Sequence, residues 1–383
     1  MIKTLTRFSS FILLLLICTN LNSFAQNLIQ PPNGDNNRSV VTQYIGSLVS
    51  VTVTYNSPNV TGPAGEDRKG KIWGELVPYG FNDLGFGTSK EAPWRAGSNE
   101  NTTITFSHDV MVQDKPLKAG TYGFFIVAQK EGPWTLIFSN NSTSWGSFFY
   151  DQSQDALRVT TLPQEAPFHE WLTYEFTDRE LDHTTCALLW ENKMIPFSIK
   201  VPNMTQLYVD NMRRQLQNST GFDWQNWNDA ATFLLTNKTN LDEALKWSEN
   251  SISLPFVGVE NFTTLSTKSQ ILDAMGKKDE SKELMEKAIR HPTATPLQVH
   301  FYGRQLLGQG KKEDAMKVFQ MNEKQHPTEW VVNVGMARGY SAMGNYKSAL
   351  KYAKIAYEKA PDPQNKESMK QAVAKLENGQ DIN

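Results

Sequence analysis

From Val49 the side chains alternate with a period of two: Val49, Val51, Val53 and Tyr55 fall on one face, Ser50, Thr52 and Thr54 on the other. Successive side chains of an extended chain point to opposite faces, so this segment reads as a half-buried strand. Ser57-Pro58 stops it, and residues 56–71, rich in Pro, Gly and charge, read as a loop. Alternation returns at Ile104 and Phe106, then at Val110 and Val112, before Gln113-Asp114-Lys115-Pro116 turns the chain. Residues 121–128 are apolar on both faces, as a central strand is. Gly132-Pro133 turns back into 134–138, and further strands are expected at 148–150, 157–162, 172–176, 186–190 and 197–201. About ten short strands separated by turn signals predict an all-β sandwich or partly closed barrel over residues 40–202. Strand order does not follow from the pattern.

At Pro202-Asn203 the period changes. Leu207, Met212 and Leu216 follow a helical spacing with Asn203 placed as N-cap, and residues 203–222 are expected to be a linker helix. Beyond it the chain repeats: Gly276, Gly310 and Gly344 recur every 34 residues, as do Ala315 and Ala349, Pro327 and Pro361, and the series Leu272, Leu306, Tyr340. Gly303, Leu306, Ala315, Phe319 and Pro327 form a small–large–small–large–Pro series. Small residues let two helices approach, large ones fill the gap, and proline stops the second helix. Residues 223–362 thus resemble tetratricopeptide repeats. The likeness is good in the last two units, weaker at Ser281 and Met285, and weakest near 241–254, where the spacing to the next unit is about three residues longer. Ala353, beside Tyr352, replaces Phe319 at the matching place. Residues 363–383 read as a capping helix with a tail, 378–383, expected to fray. The expected fold class is α+β multidomain: an N-terminal all-β sandwich or partly closed barrel, then a C-terminal α-helical tetratricopeptide-like solenoid.

Ahead of the first strand, Lys3 and Arg7 precede an apolar run at 11–17 and the stretch Ser23-Phe24-Ala25-Gln26. A positive start, an apolar core and a small-x-small site make a secretory signal. Residues 1–25 are therefore expected to be cleaved off after Ala25 and the protein exported, to the periplasm or beyond. The apolar run is too short to span a bilayer, so no membrane span is expected after cleavage. Residues 26–39 read as a flexible leader. Cys18 is expected to leave with the signal, which makes Cys186 the single remaining cysteine, an inert thiol in an apolar stretch. The chain holds 38 basic and 40 acidic residues, and the signal removes two of the bases. Without a basic run, nucleic acid and anionic membrane have no electrostatic claim as partners.

Several separated motifs of the β-region resemble a known bacterial family. They are Lys71-Ile72-Trp73-Gly74, Leu76-Val77-Pro78-Tyr79-Gly80, Pro93-Trp94-Arg95-Ala96-Gly97-Ser98-Asn99-Glu100-Asn101-Thr102-Thr103, Lys115-Pro116-Leu117-Lys118-Ala119-Gly120-Thr121-Tyr122 and Trp145-Gly146. The family is the domain of unknown function number 2911, and the resemblance covers about residues 35–185. It implies export, and in some members helical repeats behind the β-domain. It brings no activity. Residues 82–93 depart from the family pattern as an insertion between Pro78-Tyr79-Gly80 and Trp94-Arg95.

The richest chemistry lies in Trp94-Arg95-Ala96-Gly97-Ser98-Asn99-Glu100. Arg95 has the fork to clamp a carboxylate or sulfate, Trp73, Trp94 or Trp145 the ring to stack on a sugar, and Tyr79 a hydroxyl; Asn99 and Glu100 add an amide and a carboxylate. A carbohydrate or small acidic ligand would suit this set. The structural reading instead pairs Arg95 with Glu100 to hold a long loop and makes Trp94 a core plug. Glu100 with Asp109, Asp151 or Asp155 would be needed for a paired-carboxylate hydrolase. No metal or cofactor is expected, since His169-Glu170 and His183-x-x-Cys186 are the only local ligand pairs and i, i+3 positions of a strand face apart. Neither a Gly-x-Ser-x-Gly elbow nor a phosphate loop occurs. In the repeats, Lys268, His300, Arg304, Asn333, Arg338 and Tyr340 of the first helices are the candidates for holding a protein or peptide. The preferred reading is an exported, non-catalytic binding or scaffold protein of the bacterial envelope. The alternative is an exported hydrolase acting on a glycan or peptide, and a third arrangement has the groove occupied by the chain itself.

Overall fold

A computed structural model describes residues 36–383; the expected signal and the leader up to residue 35 lie outside the described residues. The chain divides into two compact units between Met204 and Thr205.

The first unit is two antiparallel sheets. One carries six strands: β1 (Asn37–Ile45), β2 (Val49–Ser57), β3 (Thr103–Phe106), β6 (Gly120–Val127), β7 (Trp134–Ser139) and β8 (Asp155–Thr161), hydrogen-bonded in that order. The other orders β5 (Lys115–Leu117), β4 (Val110–Val112), β10 (His183–Lys200) and β9 (Gln164–Arg179). The sheets face each other without closing, so of the two β expectations the sandwich is the one that forms. Phe124 of β6 meets Phe197 of β10 at 5.5 Å, and Tyr55 of β2 meets Tyr174 of β9 at 4.8 Å between ring centroids. Burying such a ring fully stabilises by about 1.5–3 kcal/mol. β6 is apolar on both sides because its second face is also covered: Phe125 and Val127 form a cluster with Ile137 on which Tyr150 packs.

Several expected boundaries move. A first strand begins at Asn37, inside the segment read as leader, and pairs with β2 from Asn37↔Ser57 to Ile45↔Val49. The strand expected at 148–150 is a turn, whose Phe148 and Phe149 pack instead on Phe86 of a neighbouring loop. The two strands expected at 186–190 and 197–201 are one, β10, interrupted by a register shift at Glu191, whose φ is 53°.

The second unit holds ten helices among the described residues. α1 (Met204–Gln215) precedes four hairpins: α2 (Trp224–Thr236) with α3 (Leu241–Ser253), α4 (Phe262–Ala274) with α5 (Lys278–Arg290), α6 (Pro296–Gly308) with α7 (Lys312–Gln325), and α8 (Trp330–Ala342) with α9 (Tyr346–Glu358). α10 (Pro363–Glu377) packs on α9. The last three hairpins turn alike: Gly276, Gly310 and Gly344 have φ of 83°, 77° and 77°, and the residue after each donates its N–H to Leu272, Leu306 or Tyr340. Only glycine enters that left-handed region freely. The first hairpin lacks such a glycine, and the connection after it, 254–261, is longer than 291–295 or 326–329, the irregularity that the spacing predicts. α1 is no free linker. Val209 and Leu216 share a buried cluster with Trp247 and Ile271, and Arg213 binds both oxygens of Glu243 at 2.9 and 2.6 Å. Asn203 does not cap α1 as an extended residue; its φ of 55° places it in the left-handed region.

The small–large series works as steric packing. Phe319 of α7 is 1% exposed, and a Cβ added at Gly303 would stand 2.3 Å from its ring. One added at Gly335 or Gly339 of α8 would stand 2.7 or 3.0 Å from it. The ring thus presses on the backbones of both neighbouring first helices.

Candidate functional site

Most sequence-predicted residues of the β-unit lie on the long segment between β2 and β3. Trp94 prolongs the sheet by exchanging backbone hydrogen bonds with Ile126 of β6 at 3.0 and 2.8 Å. Its indole stacks on Trp190 at 6.0 Å and meets Trp73 edge-on at 5.6 Å, and Trp73 also touches Trp134 at 5.0 Å. Trp73 and Trp94 are therefore half-buried anchors of a four-tryptophan cluster. The Tyr79 hydroxyl donates to the Trp73 carbonyl at 3.2 Å.

After Trp94 the chain curls tightly. Ala96 and Asn99 have φ of 53° and 55°, and the Ala96 carbonyl accepts from the hydroxyls of Tyr174 and Thr102 at 2.9 and 3.0 Å. Arg95 does not pair with Glu100. It donates to the Asn99 carbonyl at 2.7 Å and lies 5.2 Å over the Phe148 ring. Burial alone holds its pKa below the ordinary arginine value. Glu100 instead accepts from the Asn56 amide at 2.8 Å.

Glu100 and Trp145 come together in an open pocket of about 260 Å³, whose rim includes Arg38, Asn56, Asn101 and Ser144. Trp145 is 54% exposed, and Asn101, 6% exposed, donates to Ser144 at 2.8 Å while its own buried oxygen has no hydrogen-bond partner among the described residues. The pocket offers a ring face beside carboxylate, amide, hydroxyl and guanidinium. Glu100 is the only carboxylate on its rim among the described residues. Asp109 holds Lys118 at 2.8 Å, Asp155 holds Arg158 and Tyr150 at 2.5 and 2.8 Å, and Asp151 caps Ser153 at 2.8 Å. No group of three or more His, Cys, Asp or Glu able to hold a metal occurs among the described residues. His169 contacts the Pro167 carbonyl, His183 contacts Asp182, and Cys186 is fully buried, its thiol pushed far up by burial.

Of the six candidates in the repeats, the structure gathers three. His300 and Arg304 of α6 and Arg338 of α8 are electrostatically coupled neighbours, yet they differ in access. His300 is 4% exposed, wedged beside Phe319 at 5.7 Å, with a buried Nδ1 lacking a partner among the described residues. Burial first, then the Arg338 and Arg304 charges, push its pKa down to about 3. Arg304 is exposed and forms no ion pair among the described residues. On the same stripe of α6, at i−7 and i−3, Leu297 and Phe301 are exposed apolar side chains. Burial and the Arg304 charge lower the pKa of Arg338, against the pull of Asp381. The other three are engaged elsewhere: Lys268 pairs with Glu249 at 3.0 Å, Asn333 is buried and turned to the Glu329 carbonyl, and Tyr340 stacks on Tyr352 at 5.6 Å inside its hairpin.

Sequence reasoning missed the pocket's Arg38, Asn56 and Asn101, which strand pairing brings together from distant segments. It also missed Leu297 and Phe301, although their i, i+4, i+7 spacing with Arg304 was a readable signal.

Among known proteins, the family model described as a protein of unknown function (DUF2911) matches residues 36–199. No curated protein matches the chain. Solved structures with a likeness include a tetratricopeptide repeat protein from Parabacteroides merdae, 11% identical over 46% of this chain and 70% of that one, with a TM-score of 0.32. YrrB, described as a TPR protein with an unusual peptide-binding site, is 13% identical over 45% of this chain and 91% of its own, with a TM-score of 0.29. MamA is 13% identical over 40% and 88%, with a TM-score of 0.30. The chain thus joins a domain matched over residues 36–199 by the DUF2911 family of proteins of unknown function to a tetratricopeptide-like array of helical hairpins.

Proposed function

We propose that this is an exported, non-catalytic binding protein whose helical array captures an extended, acidic segment of a partner protein along the open stripe of α6. One observation carries the reading: Arg304 is an exposed cation that pairs with no carboxylate among the described residues, set beside exposed Leu297 and Phe301 and next to a second arginine, Arg338. A like-charged pair beside apolar side chains favours an anionic peptide with apolar residues, which gains charge-assisted hydrogen bonds and buries Phe301. The test is fluorescence anisotropy with a library of acidic–aliphatic peptides on the protein lacking residues 1–25. Arg304→Glu is expected to weaken binding about 10- to 100-fold, the worth of one charged hydrogen bond. Binding unchanged by the reversal refutes the reading.

Export rests on residues 1–25, which have the three parts of a secretory signal. N-terminal sequencing of the exported product is expected to start at Gln26. For the β-unit, the exposed Trp145 beside Glu100, Asn56 and Arg38 suits a sugar, with its apolar face on the indole and its hydroxyls on the polar rim. Titration with a panel of soluble glycans should show binding that Trp145→Ala removes.

A further inference from the structure

The segment expected to fray is instead laid on α8. Beyond α10, Gly379 takes a φ of 66°, Gln380 N–H bonds back to the Lys375 carbonyl at 3.0 Å, and the chain turns toward Arg338. Ser341 Oγ donates to Asp381 at 2.6 Å and accepts from Ile382 N–H at 3.1 Å. Arg338 donates to the Ile382 carbonyl at 3.0 Å, and the Asn383 amide donates to the Arg338 carbonyl at 3.1 Å. The Ile382 side chain packs on the cluster containing Val334 and Ala337. Those two stand 34 residues beyond His300 and Gly303, the α6 positions close to α8 and α7. Three residues therefore lie against α8, held by hydrogen bonds to Arg338 and Ser341 and by the packing of Ile382.

We propose that residues 381–383 are a displaceable occupant of this surface, and that the site beneath takes an extended partner segment of the same chemistry: an acidic side chain, then an aliphatic one, then an amide. The inference rests on the reading of the array as a peptide-binding surface and names a second, covered part of it. Charge complementarity supports the occupant's class, because Asp381 is the acid set against Arg338, with Arg304 adjacent. The backbone bonds on Arg338 and Ser341 require an extended segment, and the Val334–Ala337 cluster requires the aliphatic chain. A tethered occupant competes at high effective concentration, so it lowers the apparent affinity for a partner by the fraction of time the site is free.

The probe is a fluorescein-labelled peptide with the sequence of residues 377–383, offered to the whole chain lacking residues 1–25 and to the same chain stopped after Gln380. The stopped chain should bind at least tenfold more tightly than the whole chain. Arg338→Ala in the stopped chain should remove the binding, as should lysine in place of the probe's aspartate. Ile382→Asp in the whole chain opens the site without a deletion and should mimic the stopped chain, with the helical far-UV signal confirming that the array stays folded. Absence of binding to both opened chains, each folded, overturns the proposal. Equal binding by whole and stopped chains that Arg304→Glu abolishes also overturns it, while leaving the open stripe of α6 as a binding site. Binding by the stopped chain that survives Arg304→Glu but not Arg338→Ala upholds the proposal even where the acidic library finds nothing on α6.

Discussion

The contact between Gly303 and Phe319 permits a prediction whose sign reverses with context. Gly303→Ala alone forces a methyl group to within 2.3 Å of Cε1, 2.7 Å of Cζ and 2.9 Å of Cδ1 of a fully buried ring. Overpacking of that kind costs about 1–3 kcal/mol. Alanine in mid-helix recovers about 0.5–1 kcal/mol of backbone entropy, so the net loss is between about 0 and 2.5 kcal/mol. Phe319→Ala alone should cost about 3–5 kcal/mol, toward the upper end because three glycines cannot reach into the cavity. In the Phe319→Ala background the clash is gone, and Gly303→Ala should stabilise by about 0.5–1 kcal/mol. The two changes are therefore coupled by about 1–3 kcal/mol. Urea unfolding of the whole protein, followed by the helical far-UV signal, gives all four corners of the cycle. Additivity within about 0.5 kcal/mol would mean that the ring and the glycine do not press on each other, and the steric account would be wrong.

Three further outcomes are expected. Cys186, fully buried with its thiol pushed far up, should resist a thiol reagent in the folded protein and react at once in denaturant. His300 has a folded pKa of about 3, below its ordinary 6.5, so its contribution is intact above pH 6.5 and is lost as pH falls toward 3. The helical unit should therefore lose up to about 1.4 kcal/mol per pH unit over that window relative to His300→Leu, measured by urea unfolding at each pH. Arg95→Ala, which removes the Phe148 contact and the bond to the Asn99 carbonyl, should destabilise the β-unit by about 1–3 kcal/mol in tryptophan-fluorescence unfolding, and Arg95→Lys should not restore it.

What could be read in advance was what periodicity encodes. The 34-residue recurrence of Gly276, Gly310 and Gly344 placed three turns because a left-handed residue must stand where each first helix ends. The alternation from Val49 placed β2 because one of its faces is buried. β1 escaped because it is an edge strand with little burial, its Val40 and Tyr44 being 62% and 59% exposed, so it carries no apolar face to recognise. β10 reads as two strands because its pairing with β9 shifts register on both sides of Glu191, irregularities that the sequence marks only by a charge between apolar runs. The candidate sites were harder. Arg95 and Glu100, five apart, suggest a pair, but across the left-handed turns at Ala96 and Asn99 each takes another partner, Arg95 the Asn99 carbonyl and the Phe148 ring, Glu100 the Asn56 amide. Among the repeat residues, exposure depends on which flank the next hairpin covers. That separates buried His300 from exposed Arg304, four residues along the same helix.

Phe319 has a consequence for how such an array can grow by duplication. A ring that fits only against Gly335 and Gly339 makes its hairpin selective about its successor. A tandem copy of α6 and α7 would present Phe301 and Gln305, the residues 34 positions earlier, where those glycines stand. The copy would not stack on its parent. Met285 and Ala353, at the same place in the flanking hairpins, set no such condition by size alone. At this junction the order of modules is written into the packing.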